Sequence, residues 1–273
     1  VIRAIITGAA GKMGTTMVRL ASAEPDFRVV GGTEQTGSPA LGKDIGRVAG
    51  VAEVGVALAP DLDPVLADSS PDVVIDFTQS KASVGHARVC AARKVPMVIG
   101  STGFSAAEKA EVATYAQKIP IVMAPNMSVG VNLMISVAAQ LAKVLGDGFD
   151  VEILEAHHRM KKDAPSGTAL RLAEEIAAPM KRASSDFRMV REGQIGERGP
   201  NEIGIQTLRG GDVVGEHTVF FFGDGERIEL THRATSRDQF GKGALRAARW
   251  VIKQAPGLYG MQDVLGLRQG IKG

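Results

Sequence analysis

The chain has 273 residues, 44% of them hydrophobic and 23% charged, which exceeds one typical domain of about 100 to 200 residues and carries the balance of a globular protein. Thirty-two Lys and Arg against thirty Asp and Glu leave a formal charge of +2 without a long basic run, which disfavours a general nucleic-acid backbone binder and leaves small anionic partners open. No stretch approaches the ~20 uninterrupted apolar residues of a membrane helix, and Val1-Ile-Arg-Ala-Ile-Ile6 reads as a strand, not a leader. With a lone Cys90 that can form no intramolecular bridge, the expectation is a cytoplasmic protein with no membrane partner.

In chain order, strands are expected at residues 2–7 and 27–31 around a helix at about 11–23. Strands at 72–77, 95–99 and 119–124 then alternate with helices such as 82–93 and 106–117. This is the βαβ signature of a parallel sheet, hence an α/β protein with an N-terminal Rossmann-like domain. Within the Gly-rich connection 34–71, residues 51–58 are one more strand candidate. A long helix at about 132–145 leads into a second part with strands at 150–156, 203–208, 216–222 and 226–231, where Phe222-Gly-Asp-Gly-Glu226 is a tight hairpin signal. That pattern predicts an α+β domain with a mixed, largely antiparallel sheet. Residues 237–254 return to helix, and a short tail folds back on the first domain. The division is therefore 1–127 with 237–273, against 128–236.

The first strand ends in Gly8-Ala-Ala-Gly-Lys-Met-Gly14 at a helix start, where free backbone N–H groups and the helix dipole favour a phosphate. Glu34, at the end of the second strand, is placed to accept hydrogen bonds from adenosine ribose hydroxyls. An ATPase loop fails because Met13, not Ser or Thr, follows Lys12, and Ile6 stands where that motif needs Gly. Gly100-Ser-Thr-Gly103 and Ala124-Pro-Asn-Met127 also follow strand carboxyl ends, where open α/β sheets bind ligands, though either serves equally as a plain connection.

Chemistry concentrates in Glu155-Ala-His-His-Arg-Met-Lys-Lys-Asp-Ala-Pro-Ser-Gly-Thr168. Lysine charge and a helix start capped by Ser166 would converge on an anion there; a solvated basic loop with an ordinary cap is the alternative. The adjacent His157 and His158 diverge on an extended segment, which argues against a metal site. His86, His217 and His232 are isolated and read as surface or packing residues, and Cys90 as a small core residue.

These motifs, with Asp76-Phe-Thr78, Gly100-Ser-Thr-Gly-Phe104, Asn126-Met-Ser-Val-Gly-Val-Asn132, Gly215-Glu-His217 and Ser236-Arg-Asp-Gln-Phe-Gly-Lys-Gly-Ala244, closely resemble the bacterial dihydrodipicolinate (4-hydroxy-tetrahydrodipicolinate) reductases over essentially the whole chain. The resemblance implies NAD(P)H-dependent reduction of a cyclic imine carrying two carboxylates, in the diaminopimelate route to lysine. It makes 1–127 with 237–273 a dinucleotide-binding domain and 128–236 a domain for substrate and for assembly into a homotetramer. It places Gly8, Ala9, Ala10, Gly11, Lys12, Met13, Glu34, Gln35, Gly100, Ser101, Thr102, Ala124, Pro125, Asn126 and Met127 at the cofactor. His157 and Lys161 resemble the acid/base pair, Lys161 as proton donor, while His158, Ser166, Gly167 and Thr168 resemble substrate-binding positions; Arg237 is a further anion-contact candidate, or equally a solvent-facing Arg at a helix start.

Two positions depart from the family pattern. Where the enteric type has an Arg that pairs with the NADPH 2′-phosphate stands Gln35, and Ser101 replaces the usual Thr while keeping the hydroxyl. Lys12 offers a cation and Glu34 a repulsion to that phosphate, so use of both NADH and NADPH is expected. A short-chain dehydrogenase needs Tyr-x-x-x-Lys, but Ile119 and Asp263 stand four residues after Tyr115 and Tyr259. A cofactor-sensing regulator would have no need of the His157 to Lys161 constellation, and nothing resembles a base-reading helix.

Overall fold

A computed structural model describes residues 1–267 of the chain. Two compact units emerge, Val1–Val129 with Asp238 onward, and Gly130–Arg237. The first runs β1 (Ile2–Thr7), α1 (Lys12–Ala23), β2 (Phe27–Thr33), α2 (Ile45–Val48), α3 (Leu62–Ser69), β3 (Val73–Asp76), α4 (Ser80–Arg93), β4 (Met97–Ile99), α5 (Ala106–Ala116) and β5 (Pro120–Met123). The chain then passes through α6 (Val129–Leu145), β6 (Asp150–His157), α7 (Gly167–Ala177), β7 (Phe187–Arg188), β8 (Ile203–Arg209), β9 (Gly215–Gly223) and β10 (Glu226–Ala234). It returns to the first unit as α8 (Asp238–Val251), β11 (Gly257–Tyr259) and α9 (Met261–Val264). Residues 268–273, assigned by sequence to the same domain, lie outside the described residues.

The first unit holds a six-stranded parallel sheet in the order β11-β5-β4-β3-β1-β2. Its interior strands read as continuous apolar runs because helices cover both faces. Ala4 and Ile6 pack with residues of α1 and α8, while Ile5, Val74 and Met97 pack with α3, α4 and α5. Each such Ile, Leu, Val or Met side chain contributes roughly 1.5 to 3 kcal/mol by leaving water. β2 lies on one side of β1 and β3 on the other, so the direction of winding reverses between β1 and β3. At such a switch point a crevice opens beyond the strand carboxyl ends.

Within 34–71 the expected strand at 51–58 does not form; only isolated bridges pair Asp44 with Ala57 and Thr33 with Ala59. The Asp44 carboxylate accepts hydrogen bonds from the backbone N–H groups of Gly46, Arg47, Val54, Gly55 and Val56. It takes donors that a ladder partner would otherwise need, and the connection closes around a side chain. The tail adds β11, which pairs parallel with β5.

The second unit is a mixed five-stranded sheet in the order β10-β9-β6-β8-β7. It is antiparallel through β10-β9-β6, where the hairpin turns at Asp224-Gly225, and parallel on the β8-β7 side, because α7 carries the chain back before β8 begins. Val151, Ile153, Ile203, Ile205, Val219 and Phe221 face a core shared with Val131 and Met134 of α6 and Leu172 and Ile176 of α7. The opposite face leaves Leu208 and Phe222 exposed, with Phe220 stacked on Phe222 at 5.6 Å. One helix is apolar on average although Asn132, Gln140 and Lys143 interrupt its run. Residues Val129–Gly148 are long and apolar enough to span by length and composition, yet Val131, Met134, Ile135, Ala138 and Ala142 turn their apolar side to the core of this unit.

Candidate active site

Sequence-flagged residues form two groups, one on each unit. On the first, Gly8 turns the chain out of β1 with φ +62°, and Gly11 caps α1 in extended conformation without a side-chain hydrogen bond. The first N–H groups of α1 therefore have no side-chain cap of their own. A Cβ at Gly14 would collide with the Gly8 carbonyl and the Ala9 backbone, so loop and helix meet in a way only glycine permits. Such a cradle fits a pyrophosphate. Glu34 follows β2 directly. Its Oε2 accepts from the Ala10 N–H at 3.0 Å and its Oε1 from the Gln35 N–H at 2.9 Å, which ties the acid to the glycine turn. Lys12 and Gln35 are exposed, and Met13 is half-buried.

The two other loops leave the same carboxyl edge. Gly100 N–H donates to the Asp76 carbonyl at 2.8 Å, and Ala124 N–H to that of Ile99 at 3.1 Å. Ser101 is buried and Thr102 exposed; Pro125 is exposed, and Asn126 Oδ1 accepts from the Ser128 N–H at 2.9 Å beside the buried Met127. Beneath these loops lies Asp76, fully buried. Burial opposes its ionisation, but His86 and Thr78 outweigh that cost and hold its pKa at about 2. His86, expected to be isolated, is instead bound through Nδ1 to the Asp76 carboxylate at 2.5 Å.

On the second unit the alternation of β6 turns Val151, Ile153 and Glu155 inward, so a carboxylate ends a buried apolar row. Glu155 Oε1 accepts from the Ser166 N–H at 3.0 Å, Thr207 Oγ1 at 3.1 Å and Arg209 Nη2 at 2.9 Å. Its Oε2 takes His157 Nδ1 at 2.6 Å and Arg209 Nη1 at 2.8 Å. Burial works against the charge, yet His157, the bidentate Arg209 and the Ser166 N–H together bring the Glu155 pKa down to about 2. An ionised Glu155 places the proton of His157 on Nδ1. The imidazole lies over Gly215, where a Cβ would stand 3.0 Å from Nε2, so any side chain at 215 would press on the ring.

Ser166 is the N-cap of α7: its Oγ accepts from the Ala169 N–H at 3.1 Å. The same oxygen lies 2.9 Å from Nε2 of His217. His217 is buried, which pushes its pKa down to about 3, with the neighbouring His157 adding to the effect. It is a structural partner of the cap, not the isolated packing residue expected. Lys161 sits 2.9 Å from both Asp163 oxygens, and the Asp163 carbonyl accepts from Arg209 Nη2 at 2.7 Å, so the lysine loop is fastened to the Glu155 cluster. His158 and Thr168 are half-buried and Gly167 exposed at the start of α7; Arg237 is exposed at the end of the unit.

Sequence reasoning named none of Asp76, His86, Glu155, Arg209 or His217 as a site residue. A signal existed for the two carboxylates: each is a charged residue in an inward register position of an apolar strand, where only a paired charge is tolerated. Arg209 comes from a strand far along the chain and carries no local mark, and the Gly215-Glu-His217 motif says nothing of the partner of His217 at Ser166.

Comparison with known proteins identifies the family. Models of the N-terminal and C-terminal parts of dihydrodipicolinate reductase match residues 2–127 and 130–265. A 4-hydroxy-tetrahydrodipicolinate reductase of Myxococcus xanthus (strain DK1622) is 60% identical over 268 residues, covering 98% of this chain and 99% of the relative. One from Anaeromyxobacter dehalogenans (strain 2CP-1 / ATCC BAA-258) is 58% identical over 269 residues, with 98% and 99% covered. The solved structure of a dipicolinate-bound dihydrodipicolinate reductase from Paenisporosarcina sp. TG-14 superposes with a TM-score of 0.79 at 27% identity, covering 97% of this chain and 99% of that one. With both of its units matched, the chain belongs to the dihydrodipicolinate reductase family.

Proposed function

We infer that this chain, a nicotinamide-dependent 4-hydroxy-tetrahydrodipicolinate reductase of lysine biosynthesis, divides the work of the reaction between its two units. Residues Gly8, Ala9, Ala10, Gly11, Lys12 and Met13 hold the pyrophosphate at the start of α1, and Glu34 with Gln35 takes the adenosine ribose. Gly100, Ser101 and Thr102, with Ala124, Pro125, Asn126 and Met127, line the nicotinamide end. When bound, the reduced nicotinamide supplies a hydride.

The substrate ring carries two carboxylates and must gain a proton as it is reduced. Lys161 supplies that proton and a positive charge beside the ring. His157 is the second member of the acid/base pair, with Nδ1–H committed to Glu155. The N–H groups of Gly167 and Thr168, kept in place by the Ser166 cap, hold one carboxylate; His158 and Arg237 serve the other. The observation that carries this reading is the 2.6 Å contact of His157 Nδ1 with a buried, Arg209-paired carboxylate. A merely solvated basic loop would have no reason to bury that charge.

Both cofactors are used. Glu34 repels a 2′-phosphate, the uncharged Gln35 neither attracts nor rejects it, and exposed Lys12 offers a compensating cation. Homotetramer formation is supported by the outward face of the five-stranded sheet, where Phe220 stacks on the exposed Phe222 and Leu208 is exposed further along. A cytoplasmic location accords with a biosynthetic substrate and a single buried thiol. Cofactor oxidation followed at 340 nm with freshly made substrate tests the assignment. His157→Ala and Lys161→Ala should each lose most of kcat, and unchanged rates would remove these residues from the mechanism.

A further inference from the structure

Asp76 is a charge at the end of a strand whose other residues, Val73, Val74 and Ile75, are all buried and apolar. An ion there is tolerated only because donors converge on it. Its Oδ1 lies 2.9 Å from the Thr78 N–H, 2.8 Å from Thr78 Oγ1, 2.8 Å from Ser83 Oγ and 2.9 Å from Ser101 Oγ, while Oδ2 takes His86 Nδ1. Ser83 and Ser101 are themselves 2.8 Å apart, so one hydroxyl can donate to the other while that one donates to Asp76, which ties the trio together. The donors come from three places: the turn after β3, the first turns of α4, and the loop after β4. Thr78 also backs the glycine turn, since a Cβ on Gly8 would stand 2.7 Å from Thr78 Cγ2.

We propose that Asp76 is a positioning residue for the nucleotide, clamping the Gly100–Gly103 loop and, through Thr78, the Gly8 turn into one preformed edge. The proposal rests on the nucleotide reading of that edge given above. A carboxylate is needed because its charge holds four donors on Oδ1 and the His86 Nδ1–H on Oδ2; Asn has the same shape but no charge, and with its oxygen on the four donors it would set its NH2 against His86. The Ser101 hydroxyl is the link by which the effect reaches the loop.

The test is the Kd for NADH, measured by calorimetry on the intact chain and on Asp76→Asn, Ser101→Ala, Ser101→Thr and the Asp76→Asn/Ser101→Ala double variant. Asp76→Asn and Ser101→Ala should each weaken NADH by at least about tenfold, with Ser101→Thr within about threefold of the parent. The double variant should be no weaker than the worse single one, because both changes break one connection. Affinity for pyridine-2,6-dicarboxylate at saturating NADH should move by less than about threefold. Undiminished NADH affinity in Ser101→Ala, or single losses that multiply in the double variant, would overturn the proposal. Should Asp76→Asn not fold, Ser83→Ala, which breaks the same cluster from α4 and outside the cofactor loop, takes its place in the cycle with the same expected loss of NADH affinity. A parent chain that binds no NADH would instead overturn the nucleotide reading, and the proposal with it.

Discussion

Asp76 on the first unit and Glu155 on the second occupy similar positions: each is fully buried near the carboxyl end of an interior strand, and each receives a histidine Nδ1 together with hydroxyl and backbone donors. Their pKa values both fall to about 2 despite burial. The difference is Arg209. Glu155 has a bidentate guanidinium, which stays charged at every relevant pH, whereas His86 is the one basic side chain bound to Asp76 among the described residues. Glu155 therefore stays paired whichever protonation state His157 adopts, as a site that moves protons requires. Asp76 serves a place that has only to hold still. On the proposed roles, one motif, a buried carboxylate with a histidine, would be fitted for proton traffic or for rigidity by one added cation.

The largest effect should come from Lys161→Ala, with kcat falling at least about a hundredfold, the range for losing general acid catalysis; an ordinary kcat in the 340 nm assay would contradict its role. Glu155→Gln should cost about ten- to a hundredfold in kcat while NADH affinity holds, because Gln sets its NH2 against His157 or Arg209. Equal loss of NADH affinity would erase the distinction between the two carboxylates.

A smaller effect concerns pH and stability. His217 has a folded pKa of about 3 against an ordinary 6.5, so between these values the unfolded chain binds the extra proton. Stability then falls as pH drops through that window, by roughly 1.4 kcal/mol per pH unit for one proton. The depressed carboxylates act lower: their contribution is complete above the ordinary 4.5 of Glu155 and 3.8 of Asp76, and is lost as pH falls toward about 2. Urea titrations of His217→Gln should thus show a shallower loss between pH 6.5 and 4.5 than the parent, and an unchanged slope would sink this account. Least in size, kcat/KM for NADH and NADPH should differ by no more than about tenfold; a hundredfold preference for NADPH would mean that Lys12 outweighs Glu34.

Much of this was legible beforehand. The parallel sheet was visible because covered strands such as β3 and β4 are short unbroken apolar runs between helical stretches. The glycine turn, Glu34 and the His157 to Thr168 segment lie in continuous sequence, and local motifs carry their own context. Residues 51–58 misled because a β-rich run says nothing about Asp44, which removes the donors a strand would use. His86 and His217 looked isolated because their partners are 10 and 51 residues away, at Asp76 and Ser166. A histidine's role is set by such partners, and only the folded register brings them together.

The division of labour is tested most directly by crossing two variants with two ligands, NADH alone and pyridine-2,6-dicarboxylate at saturating NADH, in one calorimetric series. Asp76→Asn should lose NADH at least about tenfold and keep the dicarboxylate, while Glu155→Gln should keep NADH and weaken the dicarboxylate by a comparable factor. If both variants lose the same ligand, or neither loses any, the two buried carboxylates do not serve separate halves of the reaction.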